Sequence, residues 1–419
     1  MSQLFTKTSK TAPADEQAKN AQLLIKAGFI HKEMAGVYDY LPLGNIVLNK
    51  IMQVIREEMN AIGGQELLMS ALQPKDNWHA SGRWHDDVVD VWFKTRMHSG
   101  EGYHLGPELG LGNTHEEALT SVMRNFIRSY KDLPVYPYQF QTKFRNELRS
   151  KSGIMRCREF IMKDLYSFSR DQQQHDDFYE QAKQAYLRIF ERLGLGDITY
   201  VTFASGGSFS KFSHEFQTIT DIGEDTIYVH EGKRIAINKE VYNDEVLAEL
   251  GVTRGELVEK RAVEVGNIFT LGTRFSDPLG LTFTDENGNV KPVIMGSYGI
   301  GPGRVMGTIV EHFADEKGMI WPKNIAPARV YLALLGASET VIKAAEELYQ
   351  TLTNSGIEVL YDDRDVRPGE KFADADLMGI PYRVVVSEKT LAANQYELKG
   401  RTDSEARFMD LNSVIKMVA

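Results

Sequence analysis

The chain has 419 residues, 42% of them hydrophobic and 25% charged, with a formal net charge of −10 at pH 7. That length accommodates two or three domains with sizeable cores, and the acidic balance excludes a nucleic-acid-binding surface over the whole molecule while leaving room for a local basic groove. No apolar run approaches the ~20 residues of a membrane span, the N-terminal stretch lacks an apolar signal core, and the single cysteine, Cys157, excludes a disulfide framework and a multi-cysteine zinc site; together these predict a reducing, cytoplasmic setting.

In chain order, the polar first ~15 residues predict a poorly ordered terminus. Residues 45–62 place Val47, Ile51, Val54, Ile55, Met59 and Ile62 on one helical stripe. Gly63 and Gly64 end that helix, and the run from Gln65 reads as a strand stopped by Pro74. Residues 139–170 contain two strand-like runs around a polar, basic loop, an antiparallel signature. Asp171 to Gly194 is helical, with Phe178, Ala182, Ala185, Tyr186 and Ile189 at helical spacing. Two prolines in 321–330 mark a boundary. Beyond it, strand, helix, strand, a short helix from Lys371 and strand alternate, which predicts a small α/β domain with a mainly parallel sheet. The part before it does not alternate and reads as α+β on an antiparallel sheet. The expected domains are therefore 1–324 and 325–419.

Two stretches carry chemistry. In 143–168, Arg145 and Glu147 alternate onto one strand face, and after the loop Arg156, Phe160 and Asp164 recur every four residues, an even spacing that keeps one face. Such a face can hold a nucleotide, with arginines for phosphate oxygens, an aromatic ring for the base and a carboxylate for an exocyclic amine; it can equally be a solvated face laced with ion pairs. The second stretch, "MGSYGIGPGRVMGTIVEHF" (295–313), runs from glycines straight into Arg304 and an apolar helix. It fits neither the dinucleotide fingerprint nor the P-loop. It is either a close-packed strand–helix turn or a nucleotide site that uses an arginine.

Together with the 45–74 helix and strand, these stretches resemble, in order, motifs 1, 2 and 3 of the class II aminoacyl-tRNA synthetases. "AGVYDYLPLG" (35–44), "NTHEEALT" (113–120), "SHEFQ" (213–217), "GEDTIYV" (223–229) and "DDRDVRPGEKFADADLMGIP" (362–381) narrow the resemblance to the bacterial-type prolyl-tRNA synthetases, over nearly the whole chain. Two departures stand out: Asn113 where the family usually has proline, and Ser297 where many bacterial members have cysteine.

The resemblance implies ATP- and Mg²⁺-dependent activation of L-proline and transfer to tRNA(Pro). It implies that Arg145 bridges the α-phosphate and the substrate carboxylate, that Glu147 meets the adenine side, that Phe160 stacks the base, and that Arg156 and Arg304 serve ATP, Arg304 on the distal phosphates. Thr114 and Glu116 resemble the Thr-x-Glu element that takes the substrate ammonium, with His214 and Ser297 lining the proline pocket. Arg367 and Arg401 are the anticodon candidates, although the last domain has more acidic than basic residues. Pro74 corresponds to the motif 1 proline of a homodimer interface. Threonyl enzymes hold substrate through a zinc on one cysteine and two histidines; the only cysteine here lies in motif 2, so no zinc is expected. Seryl enzymes carry a long N-terminal coiled coil absent here, and a non-catalytic paralogue would be expected to lose motif arginines that this chain keeps. Too few residues separate Val229 from Met295 for the large editing domain of bacterial relatives, so segment 230–270 reads as a short linker segment with two short helix-like pieces and a strand. Alanine mischarged to tRNA(Pro) would then be left to a separate trans-editing protein.

Overall fold

A computed structural model describes residues 1–98, 105–148, 152–205 and 212–419. The centre of the larger domain is a nine-stranded sheet. Strands Pro137–Phe144, Glu159–Ser169, Ile294–Ile300, Val258–Gly272, Phe212–Ile219 and Thr199–Ser205 lie side by side, each antiparallel to the next, and Gln65–Glu66 adds a short parallel edge. Strands Asp225–His230 and Ile235–Asn238 bridge the first half of Val258–Gly272 to Thr199–Ser205, so five strands close into a ring. The antiparallel α+β expectation holds.

Three amphipathic helices cover one face. Pro42–Ala61 starts with proline at its first turn, where the missing N–H costs nothing, and buries Val47, Leu48, Ile51, Val54, Ile55 and Met59. Gln172–Arg192 is capped by Asp171, whose carboxylate accepts from the Gln174 N–H at 2.8 Å. Pro302–Phe313 inserts Val305, Met306, Ile309 and Val310 into the same core. The opposite face carries the helix Glu116–Met123 at one end and is otherwise open where motifs 2 and 3 meet.

The C-terminal sheet is mixed. Val359–Asp362, Val330–Leu335 and Tyr382–Ser387 are parallel, and Tyr396–Gly400 and Arg407–Met409 extend it antiparallel. The α/β expectation stands, with the short helix beginning earlier, at Pro368.

Three expectations need correction. Residues 65–72 are not one strand: pairing stops at Glu66, and Leu72–Pro74 joins a separate three-stranded sheet. The segment read as a short linker, 230–270, does contain the expected short helical pieces and strand, but that strand, Val258–Gly272, is a central member of the sheet and pairs with motif 3. The N-terminus is held in place, with the Met1 ammonium donating to Tyr361 O at 2.5 Å and the Ser2 N–H to Asp363 at 2.7 Å. Across the expected 324/325 boundary the core is continuous: Trp321 stacks on Phe29 and donates its indole N–H to Met378 O at 2.9 Å, among buried Ile325, Ala326, Tyr331 and Ile380.

Candidate functional site

One pocket lies over the junction of motifs 2 and 3. The regular motif 2 strand ends at Phe144; Arg145 follows it in an isolated antiparallel bridge with Trp92, and Glu147 lies beyond the bridge, so the two do not share one regular strand face. The Arg145 N–H donates to Arg158 O at 2.8 Å and so fixes the base of the hairpin; residues 149–151 of the basic loop lie outside the described residues. Arg156 bridges the loop, with Nε 2.9 Å from Glu147 Oε2 and Nη1 on Glu224. The Arg145 guanidinium lies 5.5 Å from the centre of the Phe160 ring, and its Nε is 3.4 Å from Asn113 O. Burial and nearby Arg304 lower its basicity, but an arginine starts so far above neutrality that it stays a cation.

The glycines of motif 3 divide between two tasks. A Cβ on Gly303 would meet Tyr40 Oη at 2.5 Å and one on Gly307 would meet Met155 Cγ at 2.6 Å, so these two let the helix pack closely. Gly299 and Gly301 line the pocket itself. Arg304, one turn into the helix, donates from Nε to Met155 O and from Nη1 to Glu264 O, each at 2.9 Å, and its Nη1 stands 3.4 Å from Glu264 Oε2. The close-packed turn left open by the sequence is therefore present, and Arg304 also stands in the wall of a pocket. Facing Glu264, the Glu215 carboxyl is pushed up to about 8 by burial and by the Glu264 charge.

Beside this pocket, and sharing Arg145 with it, is a second cavity of about 170 Å³. Thr114 donates its hydroxyl to Glu116 Oε2 at 2.5 Å. Glu116 and Glu117 open the helix Glu116–Met123, where its N-terminal N–H groups favour carboxylates. Arg83 lies 3.3 Å from Glu116 and 3.0 Å from Glu117. Met162, Tyr166, Phe269 and Ser297 complete the cavity. Beneath it, buried Lys143 pairs with Asp164 at 2.8 Å and reaches His115 Nδ1 at 2.5 Å. His115 Nε2 is 3.1 Å from Ser70 O, so Nε2 carries the proton and Nδ1 accepts from the lysine. Burial, reinforced by Lys143, pushes His115 down to about 4 and keeps the ring neutral.

Residues 100–313 match the tRNA synthetase class II core domain (G, H, P, S and T), and residues 329–419 match an anticodon binding domain. A "Proline--tRNA ligase" of Agrobacterium fabrum is 36% identical, with 99% of this chain and 98% of the relative covered. The chain belongs to the proline–tRNA ligase family of class II synthetases. A second family member, from Burkholderia multivorans, is 32% identical over 575 aligned positions that cover all of this chain and 98% of the relative, so that enzyme carries a large amount of sequence with no counterpart here. Among solved structures, a prolyl-tRNA synthetase from Cryptosporidium parvum shares the fold with a TM-score of 0.77 at 18% identity, covering 95% of this chain and 76% of that one. Motif 1 (45–74) lies outside the residues matched to the core domain.

Within this proline–tRNA ligase fold, the structure brings Arg145, Glu147, Arg156, Phe160 and Arg304 around one pocket, and Thr114, Glu116, Arg145 and Ser297 around the other. His214 is not among them. It pairs in register with Ile268, whose side chain is in the helix-side core, and the pleat turns it to that face. There its Nδ1 lies 2.8 Å from Tyr179 Oη, and burial pushes the ring down to about 4. Arg401 is also misassigned as an anticodon contact: it is 4% exposed and forks onto Asp315 of the larger domain, with Nη1 to Oδ2 at 2.9 Å and Nη2 to Oδ1 at 2.5 Å. Arg367 stands exposed at the start of the helix Pro368–Met378. Pro74 is exposed at the end of its short strand. Sequence reasoning missed Arg83, Tyr166, Lys143 and Glu264. Lys143 and Tyr166 had a signal, since they lie on the two paired strands of motif 2; Arg83 and Glu264 had none.

Proposed function

We propose that this chain activates L-proline with ATP and transfers the prolyl group to tRNA(Pro). The observation that carries the reading is the position of Arg145 in the common wall of the two cavities. A carboxylate lying in the Thr114–Glu116 cavity and an α-phosphate lying in the motif 2–motif 3 pocket would both meet its guanidinium, whose planar fork suits either oxyanion. Bringing the carboxylate oxygen in line with the α-phosphorus is then chiefly a matter of orientation and charge stabilisation. Thr114 and Glu116 receive the two N–H groups of the proline ammonium. Phe160 takes the adenine face, Glu147, held by Arg156, takes the adenine edge, and Arg304 takes the distal phosphates.

Mg²⁺ supplies charge neutralisation on the phosphates, and Glu264 is the residue that fits it. This carboxylate stands on the pocket wall beside Arg304, where a cation on the phosphates would come within its reach. A zinc site is not part of the reading. Homodimer formation through motif 1 is supported by Leu68 and Leu72, 76% and 53% exposed on the stretch leading to Pro74. Arg367 remains the anticodon candidate. We place the enzyme in the cytoplasm; among the described residues no helix is long and apolar enough to cross a membrane.

The test is charging of a tRNA(Pro) transcript with labelled proline by the purified chain. Proline should be esterified in an ATP-dependent manner, and changing the anticodon guanines should depress charging. Absence of charging with an otherwise active nucleotide site would refute the transfer step.

A further inference from the structure

Arg83 has no place in the motifs, yet it sits behind the carboxylate on which the amino-acid cavity depends. It follows the helix Lys75–Ala80 through Ser81 and Gly82, whose φ of +74° lets the chain turn back, and its N–H donates to Trp78 O at 2.9 Å. The guanidinium lies 5.0 Å from the Trp78 ring and 5.2 Å from the Phe275 ring. Its Nη1 reaches Glu116 Oε2 at 3.3 Å and Glu117 Oε1 at 3.0 Å. Ser81 Oγ donates to the same Glu117 oxygen at 2.8 Å. All three charged side chains are nearly out of solvent: 10% exposed for Arg83, 5% for Glu116 and none for Glu117.

Two adjacent buried carboxylates without a cation would repel, and one of them would take a proton. Consecutive residues on a helix also point about 100° apart, yet the Arg83 Nη1 reaches a carboxylate oxygen of each. We propose that Arg83 is a positioning residue for the amino-acid site: by bridging Glu116 and Glu117 it fixes the Glu116 carboxylate in the cavity wall and cancels one of the two negative charges, leaving the charge of one carboxylate for the substrate ammonium. This rests on the reading that Glu116 receives that ammonium. The raised Glu117, at about 7 through burial, accords with a pair that needs its cation. Asp164, also in the cavity wall, has its own partner in Lys143 at 2.8 Å.

The experiment is proline-dependent ATP–pyrophosphate exchange with the full chain and three variants, Arg83→Met, Arg83→Lys and Glu116→Gln, with KM for proline, KM for ATP and kcat measured for each. Loss of a charge-assisted contact should raise the proline KM of Arg83→Met ~10-fold or more, with the ATP KM within ~2-fold of the parent. Arg83→Lys keeps the charge but loses the fork, and should fall between the two. If Glu116→Gln raises the proline KM and neither Arg83 variant does, the role of Arg83 is overturned and that of Glu116 stands. A normal proline KM in Glu116→Gln overturns the reading of Glu116 and this proposal with it. An equal rise in the KM for proline and for ATP in Arg83→Lys marks a merely structural role and also overturns it. Should Arg83→Met fail to fold, Arg83→Lys alone carries the same comparison.

Discussion

Replacing Arg145 with alanine should separate catalysis from folding. Among the described residues its guanidinium forms no ion pair; it is held by a 3.4 Å contact to Asn113 O and by the Phe160 ring at 5.5 Å. A cation–π contact of this kind contributes ~0.5–1 kcal/mol. Against that stands a partly buried cation whose basicity burial lowers, an arrangement that costs stability until an anion arrives. The two effects nearly cancel, so the melting temperature of Arg145→Ala should move by no more than ~2–4 °C. Activity should behave otherwise. Removing one positioned donor from developing negative charge costs about 10²–10³ in rate, or ~2.7–4 kcal/mol, and Arg145 serves both cavities. The assay is proline-dependent ATP–pyrophosphate exchange beside a thermal melt. Exchange within a few-fold of the parent would refute the placement of Arg145 at the reacting centre. A large fall in melting temperature would show that its role is structural.

Arg304→Ala should lose exchange by ~10²-fold and also stability, by ~1–3 kcal/mol, because its guanidinium ties motif 3 to Met155 and Glu264 in the resting protein; a denaturant melt reads the second effect. The Arg401 guanidinium holds the Asp315 carboxyl down to about 2. A lowered carboxylate stabilises fully above its unfolded pKa of ~3.9 and loses that contribution as pH falls towards 2, so Arg401→Met should destabilise by ~1 kcal/mol after allowance for the partial exposure of Asp315, and the difference from the parent should vanish in acid melts. Given preformed alanyl-tRNA(Pro), the purified chain should deacylate it no faster than buffer; faster hydrolysis would reveal an editing site. Light scattering should give a dimer mass, reduced to a monomer by Leu72→Asp.

The helices and the motif 2 hairpin were legible because their apolar stripes and turn residues are local: Val47 to Met59 and Phe178 to Ile189 occupy the core faces read from spacing. The motif 3 strand and its helix were legible as well. The rest depended on partners far along the chain. A strand was legible within 230–270, but its place at the centre of the sheet was not, because Val258–Gly272 takes that place by pairing with three neighbours far along the chain. His214 was misplaced because strand register decides which face a side chain takes, and register is not local. Arg401 was misplaced because its carboxylate, Asp315, lies in the other domain. Arg83 carried no pattern: its importance comes from Gly82 and from meeting Glu116 and Glu117 across the fold.

Selection of proline by the Thr114–Glu116 cavity, with Arg145 presenting its carboxylate to ATP, is tested by amino-acid-dependent ATP–pyrophosphate exchange across all twenty amino acids. Exchange should be by far fastest with proline, slow but measurable with alanine because a smaller side chain cannot be excluded by clash, and undiminished by a zinc-selective chelator. Threonine or serine supporting exchange as well as proline, or no amino acid supporting it, would contradict the account.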